Sequence, residues 1–166
     1  MKGVIREARR EDLPAIRRLM EAEPGFWQRD WSDATLARGI ESAGDLALVR
    51  EDDSTIAGFV CAHDLGFRAY LSELIVAQGV RGRGIGRNLV ERIQAELAQR
   101  GRRILIADVW HDAEPFYRSL SWEPPDVVLL RRKTRRWGRL TSACGRRPSA
   151  AADTVVMRTS VRLRAR

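Results

Sequence analysis

Cysteine is nearly missing from this chain of 166 residues: only Cys61 and Cys144 are present. Two thiols cannot make a disulfide framework or a Cys-rich zinc site, so no metal is expected and a reducing cytoplasm is the expected setting. Long apolar runs are missing too. None approaches the roughly 20 residues that a membrane-crossing helix needs, and the N-terminus meets Lys2, Arg6 and Glu7 before a signal-peptide core could form. There is no internal repeat. Acidic residues are scarce in one region, where Arg131 to Arg166 holds twelve basic residues against the single Asp153.

What is present fits one globular body. Hydrophobic residues make up 44% and charged residues 31%, which supports a core and excludes wholesale disorder. The net charge of +8 invites a nucleic-acid reading. It divides, however, into +11 on residues 131–166 and −3 on residues 1–130. Nucleic acid is therefore not the expected partner of the body. The expected division is a domain over 1–132 and an Arg-rich segment over 133–166. That segment is either a long loop with a final strand near 153–161 or a partly disordered tail.

Strands and helices interleave, which gives an α/β or α+β class. Val4 to Ala8 reads as a strand. Asp12 looks like an N-cap, with Pro14 in the first turn and Leu13, Ile16, Leu19 and Met20 at helical spacing to about Glu21. An aromatic loop follows, and Ser32 could cap a second helix closed near Gly44. Leu46 to Arg50, Thr55 to His63 and Tyr70 to Ala77 read as three strands. A helix carrying Leu89, Ile93 and Leu97 stops at Gly101. Ile104 to Trp110 reads as a strand, Ala113 to Leu120 as a short helix and Val127 to Leu130 as a further strand.

The most informative stretch runs from Leu71 to Val90: an apolar strand, a loop with Gly79, Gly82, Gly84 and Gly86, then a helix. Glycines let successive backbone N–H groups converge on an anion, and the following helix N-terminus favours a phosphate. Arg81, Arg83 and Arg87 add charge, so the loop suits a pyrophosphate. A P-loop needs Gly-Lys-Ser/Thr after the glycines, but Arg87-Asn88 follows. The dinucleotide fingerprint needs glycine where Arg87 stands. Both fail.

The spacing Arg81-x-x-Gly84-x-Gly86 after an apolar strand instead resembles the acetyl-CoA motif of the GNAT superfamily of N-acetyltransferases. Ala113-x-x-Phe116-Tyr117-x-x-x-Ser121-Trp122 is similar to that family's Ala-x-x-Phe-Tyr…Gly-Phe segment, with Ser121 where glycine is usual. Trp110 stands where an asparagine often contacts the cofactor. The resemblance covers residues 4 to 132. It implies a central mixed, mostly antiparallel sheet, splayed between its fourth and fifth strands and flanked by helices.

It also implies roles. Acetyl-CoA is the acetyl donor, held by the backbone of Leu74, Ile75 and Val76 and by the loop residues Arg81, Gly82, Arg83, Gly84, Ile85, Gly86 and Arg87. Tyr117 is the candidate acid that protonates the departing thiolate. Glu73, a carboxylate in an apolar strand, is the candidate base or the anchor of a water acting as one. His111 and Asp112 are its rivals. The acceptor is a primary amine of a small molecule or peptide, and Glu21, Glu23, Asp30 and Asp33 near Phe26, Trp27 and Trp31 would suit a cationic one. A homodimer is compatible with this reading. The alternatives are a non-catalytic acyl-CoA-binding protein of this fold and a nucleic-acid or acidic-partner binding module using the basic segment.

Overall fold

Short apolar runs rich in β-branched residues make the sheet, with residues 47–49 and 56–62 buried without a break, and the helical repeats between strands supply its two covers. In the computed structural model, which describes residues 3–125, the order is β1 (Val4–Glu7), α1 (Leu13–Glu21), α2 (Asp33–Ala43), β2 (Ala47–Asp52), β3 (Thr55–Asp64), β4 (Ala69–Val76), α3 (Ile85–Gln99), β5 (Leu105–Ile106) and α4 (Glu114–Arg118). The five strands lie in sequence order across one sheet. The first four pair antiparallel, and β5 runs parallel to β4. This is the mixed, mostly antiparallel sheet flanked by helices that the motif resemblance implied. The expected strands at 127–130 and 153–161, the segment 133–166 and Cys144 lie outside the described residues.

Each face of the sheet buries its own core. Under α3, Leu48, Val60 and Leu71 meet Leu89, Val90 and Ile93. Under α1 and α2, Val49, Phe59 and Ile75 meet Ile16, Met20 and Leu36. Phe59, Val60, Ile16, Met20, Leu89 and Ile93 are all at most 1% exposed. Each such side chain stabilises the fold by about 1.5–3 kcal/mol through removal of apolar surface from water.

β4 contains one residue too many for its partner. Cys61 pairs with Glu73 and Ala62 with Leu71, so Ser72 has no partner across the ladder. This is a β-bulge, which bends the strand that carries it. Beyond it β4 stands apart from β5: only Ala69 and Tyr70 pair with Leu105 and Ile106. The expected strand over 104–110 is thus only two residues long. Val109 and Trp110 have left the sheet and are 37% and 48% exposed.

Asp12 stands at the N-cap of α1 as expected, but its side chain makes no capping bond there and closes the preceding 3₁₀ turn Arg10–Asp12 instead. Its carboxylate accepts from the Arg9 N–H at 2.7 Å and from both terminal nitrogens of Arg6 at 2.7 and 2.9 Å. The competing partner from β1 wins because a charge-assisted bidentate pair outweighs a single capping bond. Ser32 does cap α2, accepting from the Thr35 N–H at 3.2 Å. The last turns of α3 and α4 close alike, in Schellman motifs. Arg102 N–H donates to the Leu97 carbonyl and Gly101 N–H to Ala98, while Trp122 N–H donates to Tyr117 and Ser121 N–H to Arg118. Among the described residues no helix is long and apolar enough to cross a membrane.

Candidate active site

The glycine loop takes up the left-handed turns that its composition allows. Gly82 and Gly84 have φ of +78° and +79°, a left-handed conformation that costs a residue with a Cβ about 1–2 kcal/mol. Gly84 is the N-cap of α3, and no side chain caps that end. The N–H groups of the first turn therefore point out of the helix without a capping side chain, beside the positive end of its dipole. Ile85 is buried and seats the helix on the sheet. Gly86 keeps α3 close to α4, since a Cβ there would lie 3.3 Å from the Phe116 ring.

The three arginines are placed differently. Arg81 donates from Nε to the Val76 carbonyl at 3.0 Å and pairs with Glu23, so it fastens the loop to the end of β4 and to the segment after α1. Arg83 is exposed and makes no ion pair among the described residues. Arg87 lies 3.9 Å from Glu91 one helical turn on. Arg83 is thus the cation on the loop without an ion pair among the described residues, and Arg87, in the first turn of α3, is held only by this long contact.

The bulge and the early departure of β5 leave one edge of β4 without a strand partner from Leu71 to Val76, among the described residues. Leu74 and Val76 pack against the α3 core, while Ile75 is buried against α1 and α2. All three are fixed by packing, and the backbone edge between them remains available for an added strand-like ligand.

Glu73 lies on the face of the sheet that α1 and α2 cover, opposite Cys61. Burial pushes its carboxyl above the ordinary value of 4.5, opposed by a hydrogen bond from the Ser72 hydroxyl and by nearby His63, and assisted by Asp108. His63 Nε2 is 3.1 Å from Ser72 Oγ and 3.7 Å from Cys61 Sγ, and its Nδ1 is 3.3 Å from Ser42 Oγ on α2. The Cys61 thiol is pushed up to about 12 by burial and by Glu73. Cys61, His63 and Glu73 offer atoms within 4.8 Å of one another, close enough for a cation. Hydrogen bonds already use these atoms, and the thiol stays protonated, so the set reads better as a proton-sharing group. Tyr70 donates to Asp108 just past β5, tying together the two strands near their point of divergence.

Tyr117 projects from α4 and is 8% exposed. Its ring packs edge-on against Phe116 and Trp122, each 5.1 Å away between centroids. Burial alone pushes its phenol up to about 12, so at neutral pH it holds its proton. Its hydroxyl makes no side-chain hydrogen bond among the described residues. His111 and Asp112 are exposed in the turn before α4 and make no side-chain hydrogen bond among the described residues. The acids near the aromatic segment are largely committed: Arg17 holds Glu21 and Asp33, and Arg81 holds Glu23. Trp27 and Trp31 meet edge-on at 5.7 Å, and Phe26 meets Trp110 at 5.8 Å.

The sequence reading singled out Glu73, Tyr117 and the loop, but missed His63, Ser72, Ser42 and Asp108. Its one available signal was Ser72, a hydroxyl beside Glu73 in an otherwise apolar run.

The family model described as Acetyltransferase (GNAT) family matches residues 13–122. An acetyltransferase of Yersinia pestis (strain Pestoides F) is 31% identical over 107 residues, which is 61% of this chain and 76% of that protein. In three dimensions the chain is similar to the PaiA N-acetyltransferase of Thermoplasma acidophilum, solved in complex with coenzyme A: TM-score 0.67, 19% identity, covering 77% of this chain and 94% of that one. It is also similar to an aminoglycoside N-acetyltransferase in complex with CoA, with TM-score 0.64 and 20% identity over 80% of this chain and 95% of that one.

Proposed function

The chain belongs to the GNAT acetyltransferase family and is an acyltransferase; from that premise we propose that it moves an acetyl group from acetyl-CoA to a primary amine of a small molecule or peptide. The observation that carries this reading is the uncapped, left-handed glycine turn at the start of α3, next to the open edge of β4. The first suits a pyrophosphate and the second suits an amide-bearing arm such as pantetheine. The relatives with bound CoA support the donor, and the aminoglycoside enzyme among them supports a small amine as acceptor. The cytoplasm is the compartment in which such a donor is at hand.

In the proposed reaction the donor's phosphates lie on the N–H groups of Gly84, Ile85, Gly86 and Arg87, with Arg83 and Arg87 adding charge. Glu73, or a water it holds, takes a proton from the acceptor's nitrogen. Nitrogen then bonds to the thioester carbon, and β4 N–H groups stabilise the negative charge that develops on oxygen. As the carbon–sulfur bond breaks, Tyr117 gives its phenolic proton to sulfur. The phenolate takes the second proton that the former ammonium nitrogen sheds, so the amide leaves neutral and the acid is restored. The burial that keeps the phenol protonated and the carboxyl basic suits both groups to these roles.

Acetyl-CoA at a hundred times its dissociation constant should stabilise the protein by about 2.7 kcal/mol, seen as a rise in Tm. Gly84→Asp, which puts a carboxylate on the phosphate position of a strained turn, should abolish that rise. No shift with the wild type rules out the reading. Release of free CoA thiol with a panel of primary amines tests transfer itself; a thermal shift with no thiol release from any amine would leave a binding protein.

A further inference from the structure

Each turnover of the proposed reaction leaves the acceptor's proton on Glu73, under α1 and α2, and the carboxylate must lose it before it can act again. We propose that Ser72, His63 and Ser42 form a hydrogen-bonded path that carries this proton from Glu73 to the surface of α2, with His63 as the positioning and proton-carrying residue. The proposal rests on Glu73 as the base.

The geometry forms one continuous path. Ser72 donates to Glu73, His63 Nε2 lies 3.1 Å beyond Ser72, and Ser42 lies 3.3 Å beyond Nδ1. Ser42 is exposed and His63 partly buried, so the path begins in the covered face and ends in water. Beside the path the Cys61 carbonyl is a second acceptor 3.2 Å from Ser72 Oγ, and the side chains around the imidazole do not take the proton. Cys61 on β3 is a neutral thiol with its pKa raised. On β4, Tyr70 sits opposite His63 in the ladder but donates to Asp108, whose charge acts on Glu73. On α2, the Gly39 carbonyl accepts from Ser42 at 3.0 Å and from the Cys61 thiol at 3.9 Å.

The chain has two orientations. With Glu73 ionised, Ser72 donates to the carboxylate, Nε2–H donates to Ser72, and Ser42 turns its one hydroxyl hydrogen from the Gly39 carbonyl to Nδ1. With Glu73 protonated and the other tautomer of His63, every donor is reversed. Converting the second state to the first moves one proton: the Glu73 O–H bond breaks and its hydrogen bonds to Ser72 Oγ. The hydrogen already on Ser72 forms the Nε2–H bond, and the Nδ1 hydrogen leaves past Ser42 to water. Nothing is oxidised or reduced. The ring regains its other tautomer by exchanging protons with water.

Two measurements on the full chain test this. The first uses ¹⁵N-labelled histidine, which gives two imidazole signals because the sequence holds only His63 and His111. At pH 8 neutral His63 should be the Nε2–H tautomer in the wild type, and Ser72→Ala should release it to a mixture while His111 is unchanged. A His63 ring mixed in both proteins overturns the path whether or not an acceptor is known. The second is turnover with a polyamine, an aminoglycoside and an amino-acid amide as acceptors. His63→Gln should lower kcat about tenfold or more, leave KM for acetyl-CoA unchanged, and recover on adding imidazole; a purely structural role would not respond to imidazole. Ser42→Ala, exposed on α2, should show a smaller loss with the same rescue and stands in if His63→Gln fails to fold. Wild-type kcat in His63→Gln with an inactive Glu73→Gln overturns the path alone. Full activity in Glu73→Gln overturns the base and the path together.

Discussion

Tyr117 and Ser121 sit four residues apart at the close of α4, and each answers to a different demand. Tyr117 is held by aromatic packing while its hydroxyl has no side-chain partner among the described residues. Tyr117→Phe should therefore keep the thermal midpoint and lower kcat by about a hundredfold, the lower range for losing a proton donor; unchanged turnover would remove the acid. Ser121 occupies the left-handed position of a Schellman motif with φ of +63°, where α3 uses Gly101 at +72°. Ser121→Gly should relieve backbone strain and stabilise the protein by about 0.5–1 kcal/mol, after subtracting the extra freedom glycine has when unfolded. Chemical or thermal denaturation reads that gain. At this scale the sequence was legible wherever residue type alone decides. A carboxylate in an apolar strand and a phenol in a matched motif announce themselves. His63 and Ser42 do not, because 21 positions separate them and only the packing of α2 on β3 brings them together.

Among the elements, α3 matters most to the donor site, and its seat depends on a residue in another strand. Gly58 of β3 lies beneath it: a Cβ there would meet Ile85 and Leu89 at 3.1 Å and the Ile75 carbonyl at 3.3 Å. Gly58→Ala should lift the N-terminal turn of α3 from the sheet. The expected result is about 1–3 kcal/mol of lost stability together with a weaker thermal shift by acetyl-CoA, even though Gly58 touches no phosphate. An equal shift in the variant would show that the helix seat and the anion site are independent. The glycine loop and the helix after it were legible because positive φ and an absent cap are demands that only certain residues meet. The length of β5 was not. Apolar residues from Ile104 to Trp110 satisfy a strand pattern, but the pattern cannot show that β4 bends away after Tyr70 and withdraws the partner.

For the whole molecule, charge acts through protonation more than through its total. Asp12, Glu23, Asp45 and Asp64 are each held below the usual carboxylate range, chiefly by hydrogen bonds from Arg6, Arg81, Arg100 and Arg102. Their folded-state values are lowered, so the stability they contribute is present above the ordinary values of 3.8 and 4.5 and is lost as pH falls through the lowered ones. Glu73 has the opposite sign. Its folded value is raised by burial, so ionising it costs stability as pH climbs past 4.5. Glu73→Gln should raise Tm at neutral pH, and the gain should vanish below that value; a gain that persists in acid would mean the carboxylate is not buried as charge. Stability given up for a reactive group is a common trade in active sites.

Counted along β4, the α3 face belongs to odd-numbered residues at first, Ala69 and Leu71, and to even-numbered ones afterwards, Leu74 and Val76. Ser72 is the phase slip between the two countings. Strict alternation from Leu71 would have turned Glu73 into the α3 core; the slip turns it toward His63 instead. Yet the slip is a local insertion, not a shift of the whole strand. A chain lacking Ser72 would count evenly from Leu71 to Leu74, keep Glu73 opposite Cys61, and leave both cores in place. It would lose the hydroxyl that joins carboxylate to imidazole and the bend that parts β4 from β5. In this sheet one supernumerary residue holds little of the fold and much of what the fold is for.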